Sequence, residues 1–359
     1  MIKGNITDYI SKRKNSIFVK TLDMKTNPFK LIFLISLILS VMGIFAEISD
    51  YYQYRILEPG KSMMKTWFLK SIYVDLGFSF RPLNIYNVIF YILLLFGAIF
   101  FYNSKGKEVR FIRLFYSVLL ITNIFILFRI VFANIFLRPE NGFYGENVTQ
   151  IYIYKIISFL ISIFYIVLSF KILKITSLDR ELDIQEKNTG ERTRQEITET
   201  SKTERLLHHL LDTLILMFLI FSIGSLFSDF ERVKGIRIIP EYLNNRYGLL
   251  LFLVLLRFIY FPFFERIFGS TPGKFLTNSR VINSKAEIPT SSHVFGRTLY
   301  RNIPFNAFSF LFGKGWHDSI SKTFVVKEKN IGVRNIFLVW VFVFCFLIIC
   351  FYIYQIGQY

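Results

Sequence analysis

Seven apolar stretches decide what this chain can fold into. A helix needs roughly 20 apolar residues to cross the hydrocarbon of a bilayer. Runs of that kind lie at Phe29–Ala46, Leu83–Tyr102, Leu114–Phe136, Ile151–Phe170, Leu206–Phe227, Gly248–Phe268 and Asn335–Tyr354. With 53% hydrophobic residues over 359 positions, the expected fold is an all-α polytopic membrane protein of about seven transmembrane helices. Its first partner is the lipid bilayer.

Charge then orients the bundle. The chain carries 43 Lys+Arg against 25 Asp+Glu, a net +18. No basic region bears a nucleic-acid motif, so the excess reads as the positive-inside bias and as attraction to anionic lipid headgroups on the cytoplasmic side. Lys12, Arg13, Lys14, Lys20 and Lys25 precede the first span, and Lys105, Lys107, Arg110 and Arg113 follow the second. The loop after the third span has one Arg and two Glu. These asymmetries predict a cytoplasmic N-terminus and, with seven spans, an outer C-terminus. The longer loop Glu47–Pro82 is assigned to the outside. The first thirty residues lack the apolar core and cleavage site of a signal peptide. Both cysteines, Cys345 and Cys350, fall in the last apolar run and read as apolar filler.

Between the fourth and fifth spans the composition changes. Ser177–Arg205 mixes acids and bases, has no aromatics and is nearly free of aliphatics. It reads as a cytoplasmic linker, partly helical or disordered. The predicted organisation is a four-span membrane region at 1–174, a charged linker at 175–204, and a three-span domain at 205–359. That last domain includes a cytoplasmic β and interfacial segment at 269–334.

Three pieces of the C-terminal half follow one another in order. "RLLHHLLDTLIL" (Arg205–Leu216) opens the fifth span, and "FGSTPGKFLTNSRVIN" (Phe268–Asn283) follows the sixth. "RTLYRNIPFNAFSFLFGKGWHDSISKTFVV" (Arg297–Val326) precedes the seventh. Together they resemble the RDD family of bacterial membrane proteins, named for an arginine and two aspartates. The matching positions are Arg205, Asp212 and Asp318. The resemblance covers Thr203–Lys327 and leaves the first four spans outside it. It implies a multi-pass protein of the bacterial inner membrane, with transport of an ion or small solute as the usual suggestion for the family.

The residues themselves point to a charge ladder. Asp212 lies seven positions after Arg205, about two turns and 10 Å deeper on the same helix face. His208 sits between them on that face, and His209 borders it. A carboxylate at that depth needs a partner and marks a functional-site hypothesis. The sequence offers Arg257, near the middle of the sixth span, which is expected to face the bundle interior and pair with Asp212. Glu265 lies nearer the end of that span, and Pro262 between them predicts a kink. His208, Asp212, Arg257 and Glu265 thus form the candidate ion or proton pathway. The opposing reading makes the same charges structural, in an accessory or scaffold protein.

Other motifs are weaker. "GSTPGK" (Gly269–Lys274) lacks the Walker spacing and the following Ser/Thr, so it reads as a Pro-Gly turn into a strand at Phe275–Ile282. "NSKAEIP" then reads as a hairpin turn and "KTFVV" as a further strand, giving a small cytoplasmic β-hairpin element. Thr298–Phe312 is apolar but too short to span, and reads as interfacial or re-entrant, with Arg297 and Arg301 near lipid phosphate. Arg129 is explained by snorkelling, and Asn123 and Asn134 by hydrogen bonds between helices. In "GWHDSISKTFVV" (Gly315–Val326), His317 and Asp318 lack a nucleophile and a full ligand set. Asp318 is expected to cap the turn or to pair with an arginine such as Arg205, Arg297 or Arg301, and Trp316 to anchor at the interface. No enzyme, cofactor or metal site is expected. A homo-oligomer is compatible with the sequence.

Overall fold

A computed structural model describes residues 27–56, 85–136, 148–177, 180–189, 192–234, 245–302, 316–329, 332–333 and, in the last apolar stretch, 340–341, 343–345 and 347. The N-terminal segment, most of Glu47–Pro82, the loop after the third span, residues 303–312, most of Asn335–Tyr354 and the side chains of Arg129, Asn134, Trp316 and His317 lie outside the described residues.

The fold is mostly helical and divides into two compact units. Among the described residues, four helices are long and apolar enough to cross a membrane: Pro28–Ser49, Arg110–Phe128, Ile156–Ser177 and Tyr247–Ile267. Asn87–Asn103 is a shorter apolar helix.

One unit holds Met24–Lys171, Phe218–Asn244 and Gly332–Tyr359. In it α1 (Asn27–Ile56) packs on α2 (Ile85–Asn103), and α2 on α3 (Arg110–Phe136); α4 (Val148–Ser177) follows. The α3 window is 72% buried, against 33% for α1 and 28% for α4. Leu31, Leu34, Ile38 and Phe45 on α1, and Ile156, Leu160, Phe164 and Val167 on α4, are large, apolar and exposed. A soluble bundle hides such side chains; exposure of whole apolar faces fits lipid as the solvent.

Two features differ from the sequence reading here. First, α1 continues through Glu47 to Ile56, where an outer loop was expected. Asn87 donates to Glu47 at 2.9 Å, which satisfies the acid inside the helical run. Second, the basic loop after α2 is in part buried. Arg110 binds Glu108 at 2.6 Å and donates to the Val333 carbonyl, while Glu108 accepts from the Val333 N–H at 3.0 Å. Burial pushes the Glu108 carboxyl up, but the Arg110 bonds and charge outweigh it and hold it below the usual carboxylate range. The loop thereby latches the segment that enters the last apolar stretch, and within that stretch Phe344 meets Phe96 edge-on.

The other unit holds Ile172–Met217 and Asn245–Ile331. Its elements are β1 (Ile184–Thr189), β2 (Arg192–Ile197), the start of α5 (Lys202–Lys234), α6 (Arg246–Ile267), α7 (Pro272–Phe275), β3 (Ser279–Asn283), α8 (Ser291–Arg301), α9 (Trp316–Ile320) and β4 (Thr323–Lys327). Helix α5 opens on a capping box: Ser201 Oγ accepts from the Glu204 N–H, and Glu204 accepts from the Ser201 N–H at 3.0 Å.

The β structure corrects two expectations. The charged segment after α4 forms an antiparallel hairpin, β1 with β2, where a partly helical or disordered linker was expected. Its bases anchor on β4 through bridges Leu182↔Glu328 and Glu199↔Val326. Leu182 and Ile197 then join Ile282, Ala286 and Val326 in a small core. Two aliphatics suffice because the other strands supply the rest. Strand β3 begins at Ser279, after a helical turn at Pro272–Phe275. It pairs with β4, Asn283 opposite Thr323, across α8 and α9, so these two strands are not a local hairpin. Asn283–Pro289 is a loop, with Asn283 Oδ1 accepting from the Lys285 and Glu287 N–H groups, and it leads into α8.

Candidate functional site

Three carboxylates, each from a different helix, hold this second unit together. Asp212 on α5 is 2% exposed. It accepts from Tyr260 Oη on α6 at 2.9 Å, from Thr271 Oγ1 at 2.7 Å and from the Gly273 N–H at 2.9 Å. Thr271 and Pro272 start the α7 turn, and its unsatisfied N–H groups need an acceptor. Asp212 supplies one from a neighbouring helix. Gly273 permits the approach: a Cβ there would lie 2.8 Å from the His208 carbonyl and 2.9 Å from Asp212 Oδ1.

Glu265, near the end of α6, is fully buried. Lys274 binds it at 2.7 Å, Arg301 at 2.6 Å and Arg297 at 3.6 Å. Burial pushes the Lys274 ammonium below the ordinary lysine range, with Glu265 opposing. Lys274 also reaches Thr271 Oγ1 at 3.3 Å, so the Asp212 and Glu265 clusters share one turn.

Asp318 on α9 lies between two arginines, Arg297 on α8 at 2.7 Å and Arg205 on α5 at 3.0 Å. Arg205 further meets Glu199 at 3.7 Å and Thr200 Oγ1 at 3.2 Å. Arg297 is 1% exposed, faces Glu265 on its other side and donates to Thr323 Oγ1 on β4. It is therefore an inner strut, not the lipid-facing arginine expected from sequence. Along α8, Arg266 on α6 meets Ser291 and Arg257 meets Asn302. Helix α8 therefore runs antiparallel beside α6.

The residues singled out by sequence do not form one ladder. Arg205 and Asp318 join directly, and Asp212 lies in a separate cluster of neutral donors. His208 is buried against the Thr277 hydroxyl. Arg257 does not pair with Asp212; its hydrogen bond is to Asn302 Oδ1 at 3.5 Å. Tyr260, Thr271 and Gly273 occupy three of the roughly four acceptor positions of Asp212. Sequence reasoning named Arg297 among the possible partners of Asp318 and missed Tyr260, Gly273 and Lys274 as members of the site. The available signal was the Thr-Pro-Gly-Lys run itself, a capped turn with a lysine placed just beyond a membrane helix. Among the described residues, no group of three or more His, Cys, Asp or Glu is placed to hold a metal.

Residues 200–357 match the model of the RDD family. That range contains Arg205, Asp212, Glu265 and Asp318; helices α1 to α4 precede it. No curated protein and no solved structure matches the chain.

Proposed function

We propose, on the premise that residues 200–357 are an RDD-family membrane region, that its signature charges form a structural clamp in an accessory or scaffold protein. One observation carries this reading: the three buried carboxylates are engaged by seven donors drawn from three helices and a turn. A carboxylate that loads and releases an ion must trade partners. Asp212 instead accepts from a backbone N–H and two hydroxyls while capping a turn, and its release would unseat that turn. No residue of the clamp is arranged for chemistry, so the reading is non-enzymatic. The chain would lie in the bacterial inner membrane with seven spans, its N-terminus and the clamp on the cytoplasmic side.

The competing reading is transport of an ion or small solute. It draws on the mid-span position of Arg257, which lacks an acidic partner among the described residues. Purified full-length protein in pH- and ion-loaded liposomes separates the two. The clamp reading expects wild type and Asp212→Asn to leak at the empty-vesicle rate, with the variant melting earlier. Flux above empty vesicles that Asp212→Asn abolishes, without a change in melting, would establish transport.

A further inference from the structure

Arg257 stands apart from the clamp. It lies ten residues before the end of α6, about 15 Å along a helix that crosses a hydrocarbon layer of about 30 Å. The lipid-exposed face of α6 carries Leu251, Leu255 and Ile259. Arg257 projects from the opposite face, which it shares with Phe261 and Phe264 by helical period. It is nonetheless only half-buried. Its hydrogen bond, to Asn302 Oδ1 at 3.5 Å, is long and goes to an uncharged acceptor.

A second guanidinium lies one turn along. Arg301 sits over the Phe261 ring, 4.0 Å from its centroid, and Phe261 follows Arg257 by four positions. One nitrogen of Arg301 binds Glu265. Its other terminal nitrogen, Nη1, is buried and has no hydrogen-bond partner among the described residues. Arg301 and Asn302 are consecutive at the end of α8, so the Arg257–Asn302 hydrogen bond brings the two arginines to one corner of α6. Glu265 cannot neutralise this corner, because Lys274 and Arg297 already share it. Arg257 thus has a neutral acceptor as its partner among the described residues, and Arg301 shares its carboxylate with two other cations. In low dielectric that arrangement is costly, and a bound anion removes the cost.

We infer that Arg257, Arg301 and Asn302 form a binding site for a phosphate-class oxyanion, reached from the interior side of α6. A phosphate presents three or four acceptor oxygens and up to two charges, matching two guanidinium forks; a carboxylate has oxygens for one fork. Phe261 stiffens Arg301 from beneath, and the Asn302 amide nitrogen, which gives one N–H to the Thr298 carbonyl at 3.0 Å, has a second for the ligand. The site shares Arg301 with the Glu265 cluster of the clamp and is separate from Asp212 and Asp318. The phosphate belongs either to a phospholipid headgroup or to a free phosphate.

Binding by the full-length protein tests this. One arm places wild type, Arg257→Gln and Lys285→Gln in nanodiscs of mixed phosphatidylglycerol and phosphatidylcholine, and reads retained anionic lipid by native mass spectrometry after detergent release. The other titrates inorganic phosphate against detergent-solubilised protein by calorimetry, with chloride at matched ionic strength. Wild type and Lys285→Gln should bind alike. Arg257→Gln should bind about tenfold more weakly or worse in one arm, the loss of a charge-assisted fork. Weakening in the lipid arm assigns a headgroup; weakening in the phosphate arm assigns free phosphate. Equal binding by Arg257→Gln and wild type in both arms overturns the site. Should Arg257→Gln not fold, Arg257→Lys keeps the charge and loses the fork, and unchanged binding by that variant overturns it equally.

Discussion

Arg205 and Asp318 are separated by 113 positions and meet at 3.0 Å, closing the first and last segments of the clamp onto each other. Asp318 reaches Arg297 at the same time, so one carboxylate joins α5, α8 and α9. The two arginines would repel if it were removed.

Asp318→Asn is therefore expected to cost about 3–5 kcal/mol, the usual penalty for stranding buried charge. A fluorescence melt in detergent measures it. The pairing itself is isolated by a cycle with Arg205→Met: the double variant should melt above Asp318→Asn, since one stranded cation is gone.

At the α7 turn, Gly273→Ala is expected to destabilise by roughly 1–3 kcal/mol, because the new methyl meets the His208 carbonyl, a backbone atom that cannot swing away. Asp212→Asn should cost a similar amount, since an amide cannot accept from all three donors. The two losses should not add in the double variant, because both break the same contact. Additive melting shifts would show that the turn does not depend on Asp212.

Glu265 serves three cations, so its neutralisation should exceed any single partner's. Glu265→Gln is expected to lower the melting temperature more than Lys274→Met. Adding Lys274→Met to Glu265→Gln should recover part of the loss. A double variant worse than either single one would contradict the shared-carboxylate arrangement.

The Glu108 latch predicts an acid limit. Its folded carboxyl titrates below the ordinary value of 4.5, so its stabilising contribution is complete above that pH. The contribution is lost as pH falls through the lower folded value. Between neutral pH and about 3, wild type should lose melting temperature more steeply than Glu108→Gln, which has no proton to gain there. Gly332→Ala should weaken the same latch at neutral pH, since its Cβ would lie 3.1 Å from Glu108 Cα.

Several features of the fold could be read before the structure. Apolar runs located six of the described helices, because a spanning helix must satisfy its backbone locally and announces itself by length and hydropathy, but α1, α4 and α5 extend past Ala46, Phe170 and Phe227 to Ile56, Ser177 and Lys234. The "RLLHHLLDTLIL", "STPGK" and "WHDSISKT" segments all mark parts of the clamp, and Asp318 was expected beside an arginine. The β1–β2 hairpin was not legible: its strands are polar, and their few aliphatics only matter once β3 and β4 supply the other half of a core. The extension of α1 past Glu47 was hidden for the same reason, since Asn87 comes from another helix.

The sequence by itself determined that this is a helical membrane protein and which charges are too deep to be incidental. Helix period and hydropathy are local properties, and burial of charge can be inferred from depth alone. Only the tertiary structure decided the partners. Asp212 went to a turn 61 residues away, not to the arginine that matched it in depth. A carboxylate binds the donors whose geometry and satisfaction best offset its desolvation, and a rigid backbone N–H flanked by two hydroxyls meets that need. Arg257 was left without an acid as a consequence, and that remainder is where the structure points to a ligand.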